Sequence, residues 1–99
     1  MDKFGISDVH LKQITKVISS FPSVTRALIF GSRAKGNYKK YSDVDICLFG
    51  EIDAFCAEKV REALNELGLI YEFDVISYNE TKSAELLEHI DRVGLELYK

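Results

Sequence analysis

Two apolar runs, Val24 to Phe30 and Asp43 to Phe49, most constrain how this chain can fold. The first is β-branched and apolar enough for a buried strand, and the second reads as another. The link between them opens on Gly31-Ser32 and breaks at Gly36-Asn37, which predicts a short helical turn. The second run begins on carboxylates, Asp43-Val44-Asp45. Residues two apart on an extended segment share a face. Asp43 and Asp45 therefore point one way. Val44, Ile46 and Leu48 point the other way, toward a covering helix.

The remaining segments supply helices and further strands. Ser7 or Asp8 can cap a helix to about Ser20, with Leu11, Ile14, Val17, Ile18 and Phe21 at helical spacing and Pro22 ending it. Asp53 can cap a helix from Ala54 to Leu67, stopped by Gly68. Glu72 to Tyr78 reads as a third strand, Thr81 to Val93 as a last helix, and Leu95 to Tyr98 as a short final strand. Asp74 interrupts what otherwise looks like a core strand, where a carboxylate is costly unless paired or bound to metal. If the second and third strands are neighbours, Asp43, Asp45 and Asp74 converge at one end of the sheet. The pattern predicts an α/β (α+β type) domain over residues 1–99: a small mixed sheet with helices on one side.

Composition narrows the function classes. The chain has 99 residues, 46% of them hydrophobic and 29% charged, with one proline and no low-complexity run, as expected of one globular domain. No apolar stretch reaches the length of a membrane span. Residues 1–5 lack a signal-peptide layout, and Cys47 and Cys56 make neither a disulfide framework nor a zinc site. A cytoplasmic, reduced protein is the expectation. A net charge of −3 argues against direct nucleic-acid binding. The cations are nonetheless clustered: Arg33, Lys35, Lys39 and Lys40 fall together, with no acidic residue between them.

These residues suit nucleotidyl transfer from a nucleoside triphosphate. Mg²⁺ takes octahedral oxygen ligands, commonly one or two carboxylates plus phosphate oxygens and water. Two such ions can stabilise the attacking and leaving oxygens of an in-line displacement. Asp43 and Asp45 would supply ligands; Asp74 could share a metal and help deprotonate an acceptor hydroxyl. Gly31 lets the backbone approach phosphates, Ser32 can bond their oxygens, and Arg33 and Lys35 could offset charge on departing pyrophosphate. Taken singly, each feature has a plainer reading. A Gly-Ser turn is usually only a turn, Asp-x-Asp is more often structural, and the four cations read as solvated charges. His10 and His89 have no partner spacing and read as surface or satisfied residues.

The spacing Gly31-Ser32-x10-Asp43-x-Asp45 resembles the signature of the polymerase-beta-type nucleotidyltransferase superfamily. The wording Gly31-Ser32-Arg33-Ala34-Lys35-Gly36, in so short a chain, resembles its minimal nucleotidyltransferase (MNT) branch. The resemblance extends to the Asp74 strand and to Arg92-Val93-Gly94 in the closing segment. It implies the nucleotidyltransferase fold, with Asp43, Asp45 and Asp74 as catalytic and metal-binding residues. Gly31, Ser32, Arg33 and Lys35 would bind nucleotide, with ATP as substrate and two Mg²⁺ as cofactors. It also implies an antitoxin paired with a helical HEPN-type toxin, which it neutralises by transferring AMP to a toxin tyrosine. Two alternatives stay open: an antitoxin that masks its partner without catalysis, and a transferase acting on a small-molecule hydroxyl. The core fold uses essentially the whole chain, so the acceptor is expected on exposed surface or on a partner. Exposed apolar surface is open to that partner or to a second copy of this chain.

Overall fold

The computed structural model describes residues 2–99, with side chains from residue 4 onward; Met1, where the expectation about a signal peptide begins, lies outside the described residues. A two-stranded antiparallel hairpin comes first, β1 (Asp2–Lys3) and β2 (Ile6–Ser7), turning on Phe4-Gly5 with positive φ at both positions. Sequence reading alone missed this hairpin. Next come α1 (Asp8–Ser19), β3 (Val24–Phe30), the single turn α2 (Ser32–Lys35) and β4 (Val44–Gly50). The chain continues through α3 (Ala54–Asn65), β5 (Phe73–Ser77), a 3₁₀ turn (Tyr78–Glu80), α4 (Ala84–Val93) and β6 (Leu95–Tyr98).

Local chemistry sets the helix starts. Ser7 Oγ accepts from the His10 N–H at 3.3 Å, Asp53 Oδ1 from Cys56 N–H at 2.7 Å, and Ser83 Oγ from Leu86 N–H at 3.2 Å. Each side-chain oxygen satisfies an amide that the helix leaves unpaired. α3 ends two residues earlier than expected, and the Asn65 side-chain carbonyl accepts from the Phe73 N–H at 3.1 Å, tying the helix end to the start of β5. α4 starts later than expected because the segment after β5 first closes the 3₁₀ turn, where the Thr81 hydroxyl donates to the Ser77 carbonyl at 2.8 Å.

The main sheet runs β5-β4-β3-β6. β4 is antiparallel to β3 and parallel to β5, and β6 adds antiparallel to the other edge of β3. The sheet is therefore mixed, as expected. One face (Ala27, Ile29, Val44, Ile46, Leu48 and Phe73) packs against Ile14 and Ile18 of α1 and Ala57, Val60 and Leu64 of α3. The opposite face of the same strands is also apolar: Leu28, Phe30 and Cys47 cluster with Ile90 of α4. Helices on one side describes α1 and α3, whereas α4 covers part of the other face. The cause is legible in β3, where both alternating sets of side chains are hydrophobic and each needs cover.

Candidate active site

The polar residues gather where β3 ends and β4 and β5 begin. Register places Phe30, Asp45 and Asp74 in one row across three strands: Asp45 is opposite Phe30 on β3 and beside Asp74 on β5. Neighbouring strands lie about 4.8 Å apart, so Asp45 and Asp74 project side by side. Asp43 comes just before β4, where the Val44 N–H donates to the Glu72 carbonyl at 2.8 Å and joins the segment to β5. All three carboxylates belong to the α4 face of the sheet by strand alternation. Asp43 and Asp74 are exposed and Asp45 is half-buried. Asp74 thus carries none of the burial cost expected of it, because β5 is an edge strand and its side chain reaches solvent.

Gly31 joins the turn to the carboxylates. Its φ is +73°, and a methyl group placed on its α-carbon would strike the Asp45 carboxylate at Oδ2. Only glycine lets β3 turn into α2 while that carboxylate lies against the backbone. Ser32 opens α2 next to this contact and is half-buried. Gly31 and Asp45, apart in sequence, are therefore in contact, with Ser32 next in the chain.

Electrostatics mark Asp45 among the three. Burial, then the charges of Asp74 and Asp43, push its pKa up from 3.8 to about 6. Two like charges at strand spacing raise the cost of ionising a third group. A divalent cation would remove that cost, so the charge pattern fits a metal. The donor set fits a hard one, since every ligand is a carboxylate oxygen. Among the described residues, however, no three acidic, histidine or cysteine side chains are drawn close enough to cage an ion. Asp43 lies just before its strand and Asp74 on an edge strand, so the expected ligands Asp43, Asp45 and Asp74 rely on phosphate and water oxygens to complete a shell. One or two carboxylates with phosphate and water oxygens is the usual shell of such an ion, and these residues fit it.

Arg33 departs from its expected place. It is 2% exposed. Its Nε and Nη2 donate to the Ser42 carbonyl at 3.2 and 2.9 Å, Nη2 also to the Lys40 carbonyl at 3.2 Å, and Nη1 to the Phe4 carbonyl at 2.9 Å. The guanidinium also lies over the rings of Tyr38 and Tyr71, at 5.1 and 5.0 Å. It is therefore neither a solvated charge nor a group presented to phosphate. Lys35, Lys39 and Lys40 stay exposed, and the Lys40 ammonium sits 5.6 Å from the Tyr41 ring.

The other residues weighed from sequence fall into place. His10 is satisfied, its Nδ1 lying 3.2 Å from the Tyr71 hydroxyl. His89 meets Phe30 edge-on at 6.2 Å, on the sheet face of the carboxylates and one strand from Asp45. Sequence reading had set His89 aside; its place three residues after Leu86 and four before Val93, both packed on this face, was the available signal. Cys47 is buried and its thiol is pushed up to about 12, by burial and then by the Asp91 charge, which leaves it inert. Cavities occur between α1 and β6 (about 190 Å³, lined by Leu11 and Leu97), beside β5 (about 190 Å³, Ala57 and Val75) and between α1 and the segment after α3 (about 440 Å³, Val17 and Leu67). None of these three includes a carboxylate of the cluster, which lies on open surface. No helix among the described residues is long and apolar enough to cross a membrane.

Known proteins resemble this chain in sequence and fold. The chain is 36% identical over 66 residues to the "Probable protein adenylyltransferase MntA" of Haemophilus influenzae; the match covers 65% of this chain and 57% of that protein. It therefore spans little more than half the length of that relative. Its fold superposes on a chain of a toxin–antitoxin crystal structure with AMP-PNP at a TM-score of 0.73, with 21% identity over 88% of this chain and 71% of that one. A complex of tri-AMPylated Shewanella oneidensis HEPN toxin with MNT antitoxin matches at a TM-score of 0.67, with 18% identity over 90% of this chain and 69% of the other. At those identities the structural likeness speaks for the fold. The family described as polymerase beta, nucleotidyltransferase, matches residues 12–99, and to that family this chain belongs.

Proposed function

We propose that this chain transfers AMP from ATP to a hydroxyl, tyrosine in the first instance, of a HEPN-type toxin, and that it acts in the cytoplasm as that toxin's antitoxin. The observation that carries the reading is the contact of Gly31 with Asp45, at the open end of a sheet where Asp43 and Asp74 flank the same carboxylate. The relative named as a protein adenylyltransferase and the toxin–antitoxin structures of like fold support the substrate and the partner. An open site also suits an acceptor delivered on another protein's surface.

In this reading the acceptor oxygen attacks the α-phosphorus of ATP. The bond from that phosphorus to the bridging oxygen breaks, and pyrophosphate leaves. Asp74, exposed on its edge strand, takes the acceptor proton. Asp43 and Asp45 would hold a divalent cation, which would supply Lewis-acid charge stabilisation at the phosphates. Gly31 and Ser32 seat the phosphate chain, and Lys35 offers a cation near it. Arg33 is assigned no phosphate contact.

The test mixes this protein, ATP, Mg²⁺ and a HEPN-type toxin, and measures the toxin's intact mass. Added AMP is expected with the wild type and none with Asp43→Asn. A toxin that is neutralised yet unmodified rejects transfer in favour of masking.

A further inference from the structure

We propose that Arg33 is a positioning residue: with the hairpin of residues 2–7 it forms a buried brace that fixes the Gly36–Asp43 loop and thereby sets Asp43 against Asp45. The proposal rests on the transferase reading above and adds a role which that reading leaves empty.

The brace is visible bond by bond. The Arg33 guanidinium bonds two carbonyls of the loop, those of Lys40 and Ser42, and one from the hairpin, that of Phe4. A planar fork can engage several carbonyls at fixed angles, which a lysine ammonium cannot. Tyr38, from the loop itself, covers one side of the charge, and Tyr71 joins it from the segment before β5. Gly5 closes the other end: at φ +73° it packs so tightly that an added methyl group would run into the Tyr38 ring and meet Arg33 Nη1 at 2.9 Å. Within the loop, Ser42 is held twice more. Its N–H donates to the Lys39 carbonyl at 3.0 Å, and its hydroxyl accepts from the Lys39 N–H at 2.7 Å.

The consequence follows from chain order. Ser42 is bonded directly to Asp43, so the carbonyl that Arg33 grips belongs to the peptide unit that aims Asp43. Arg33 itself follows Ser32. One buried side chain thus ties the triphosphate turn to the first carboxylate, from beneath, without touching the reacting atoms. Such supporting contacts typically change metal affinity or activity by about 10- to 100-fold when lost.

The experiment compares the wild type with Arg33→Lys, Gly5→Ala and Ile14→Val, the last a core change in α1 chosen to lower stability elsewhere. Two quantities are read: the Mg²⁺ concentration giving half-maximal AMP transfer, and hydrogen exchange at the Lys39 and Ser42 amides. Arg33→Lys is expected to raise the Mg²⁺ requirement about tenfold and to expose both amides. Gly5→Ala should shift both in the same direction with the guanidinium retained, and it decides the matter if Arg33→Lys does not fold. Ile14→Val should lower the melting temperature and shift neither. Unchanged Mg²⁺ dependence in Arg33→Lys and Gly5→Ala, or an equal shift in Ile14→Val, overturns the brace. Loss of ATP binding in Arg33→Lys with both amides still protected overturns it in favour of direct phosphate contact. A wild type that transfers no AMP defeats the functional reading instead, and the exchange at Lys39 and Ser42 still judges the brace.

Discussion

Asp45 is the residue on which the proposed function and stability pull in opposite directions. Its pKa is raised to about 6 by burial and by the charges of Asp74 and Asp43. Between about pH 4 and 6 the folded chain keeps a proton that the unfolded chain has released. Stability therefore falls as pH rises through that window and stays lower above it. Asp45→Asn removes the fall. At pH 7.5 the variant should be more stable than the wild type by about 1 kcal/mol, allowing for solvent screening in a half-exposed site, and the two should converge near pH 4. Urea midpoints at both pH values check this, and a variant less stable at pH 7.5 counts against it. The direction of Asp45 was readable from the Asp-x-Asp spacing, but its burial was not. Nor was the fate of Arg33 readable: its partners lie at residues 4, 38, 40, 42 and 71, and nothing local separates a braced arginine from a solvated one.

At the scale of elements, period and punctuation were enough wherever one face had to be buried. β3 begins and ends where its apolar run does, and α2 sits between Gly31 and Gly36 as the glycines imply. The hairpin at residues 2–7 was invisible because its strands have two residues each and its turn places Phe4 at φ 60°, a conformation unusual for phenylalanine. α4 shows the limit from the other direction. Its helical period was plain, yet which sheet face it covers depends on Leu28, Phe30 and Cys47 meeting Ile90. Its start depends on Ser83, which caps the Leu86 N–H at 3.2 Å. Ser83→Ala should cost about 1 kcal/mol of stability, read as a lower denaturant midpoint, with KM for ATP unchanged. A raised KM would mean that α4 helps to shape the nucleotide site through His89 and Phe30.

On the proposed reading, the whole molecule presents a net charge of −3 and an open cluster of three carboxylates to ATP, which is itself strongly anionic. ATP alone is repelled there, and Mg²⁺ alone finds no closed cage among the described residues. Neither should bind well without the other, since the phosphates complete the shell of the metal and the metal cancels the charge between phosphates and carboxylates. A ligand at 100 times its Kd stabilises the folded chain by about 2.7 kcal/mol, which in a domain of this size raises the melting temperature by roughly 10 °C or more. Thermal denaturation with saturating ATP and Mg²⁺ together should show such a rise. Either component alone should give a small fraction of it, and Asp43→Asn should lose most of the joint effect. An equal rise with ATP alone would mean that the cations Lys35, Lys39 and Lys40 hold the nucleotide and the carboxylates do not bind it through a metal. Asp43→Asn would then leave the rise intact, so the same variant separates a metal-bridged donor site from a cationic one.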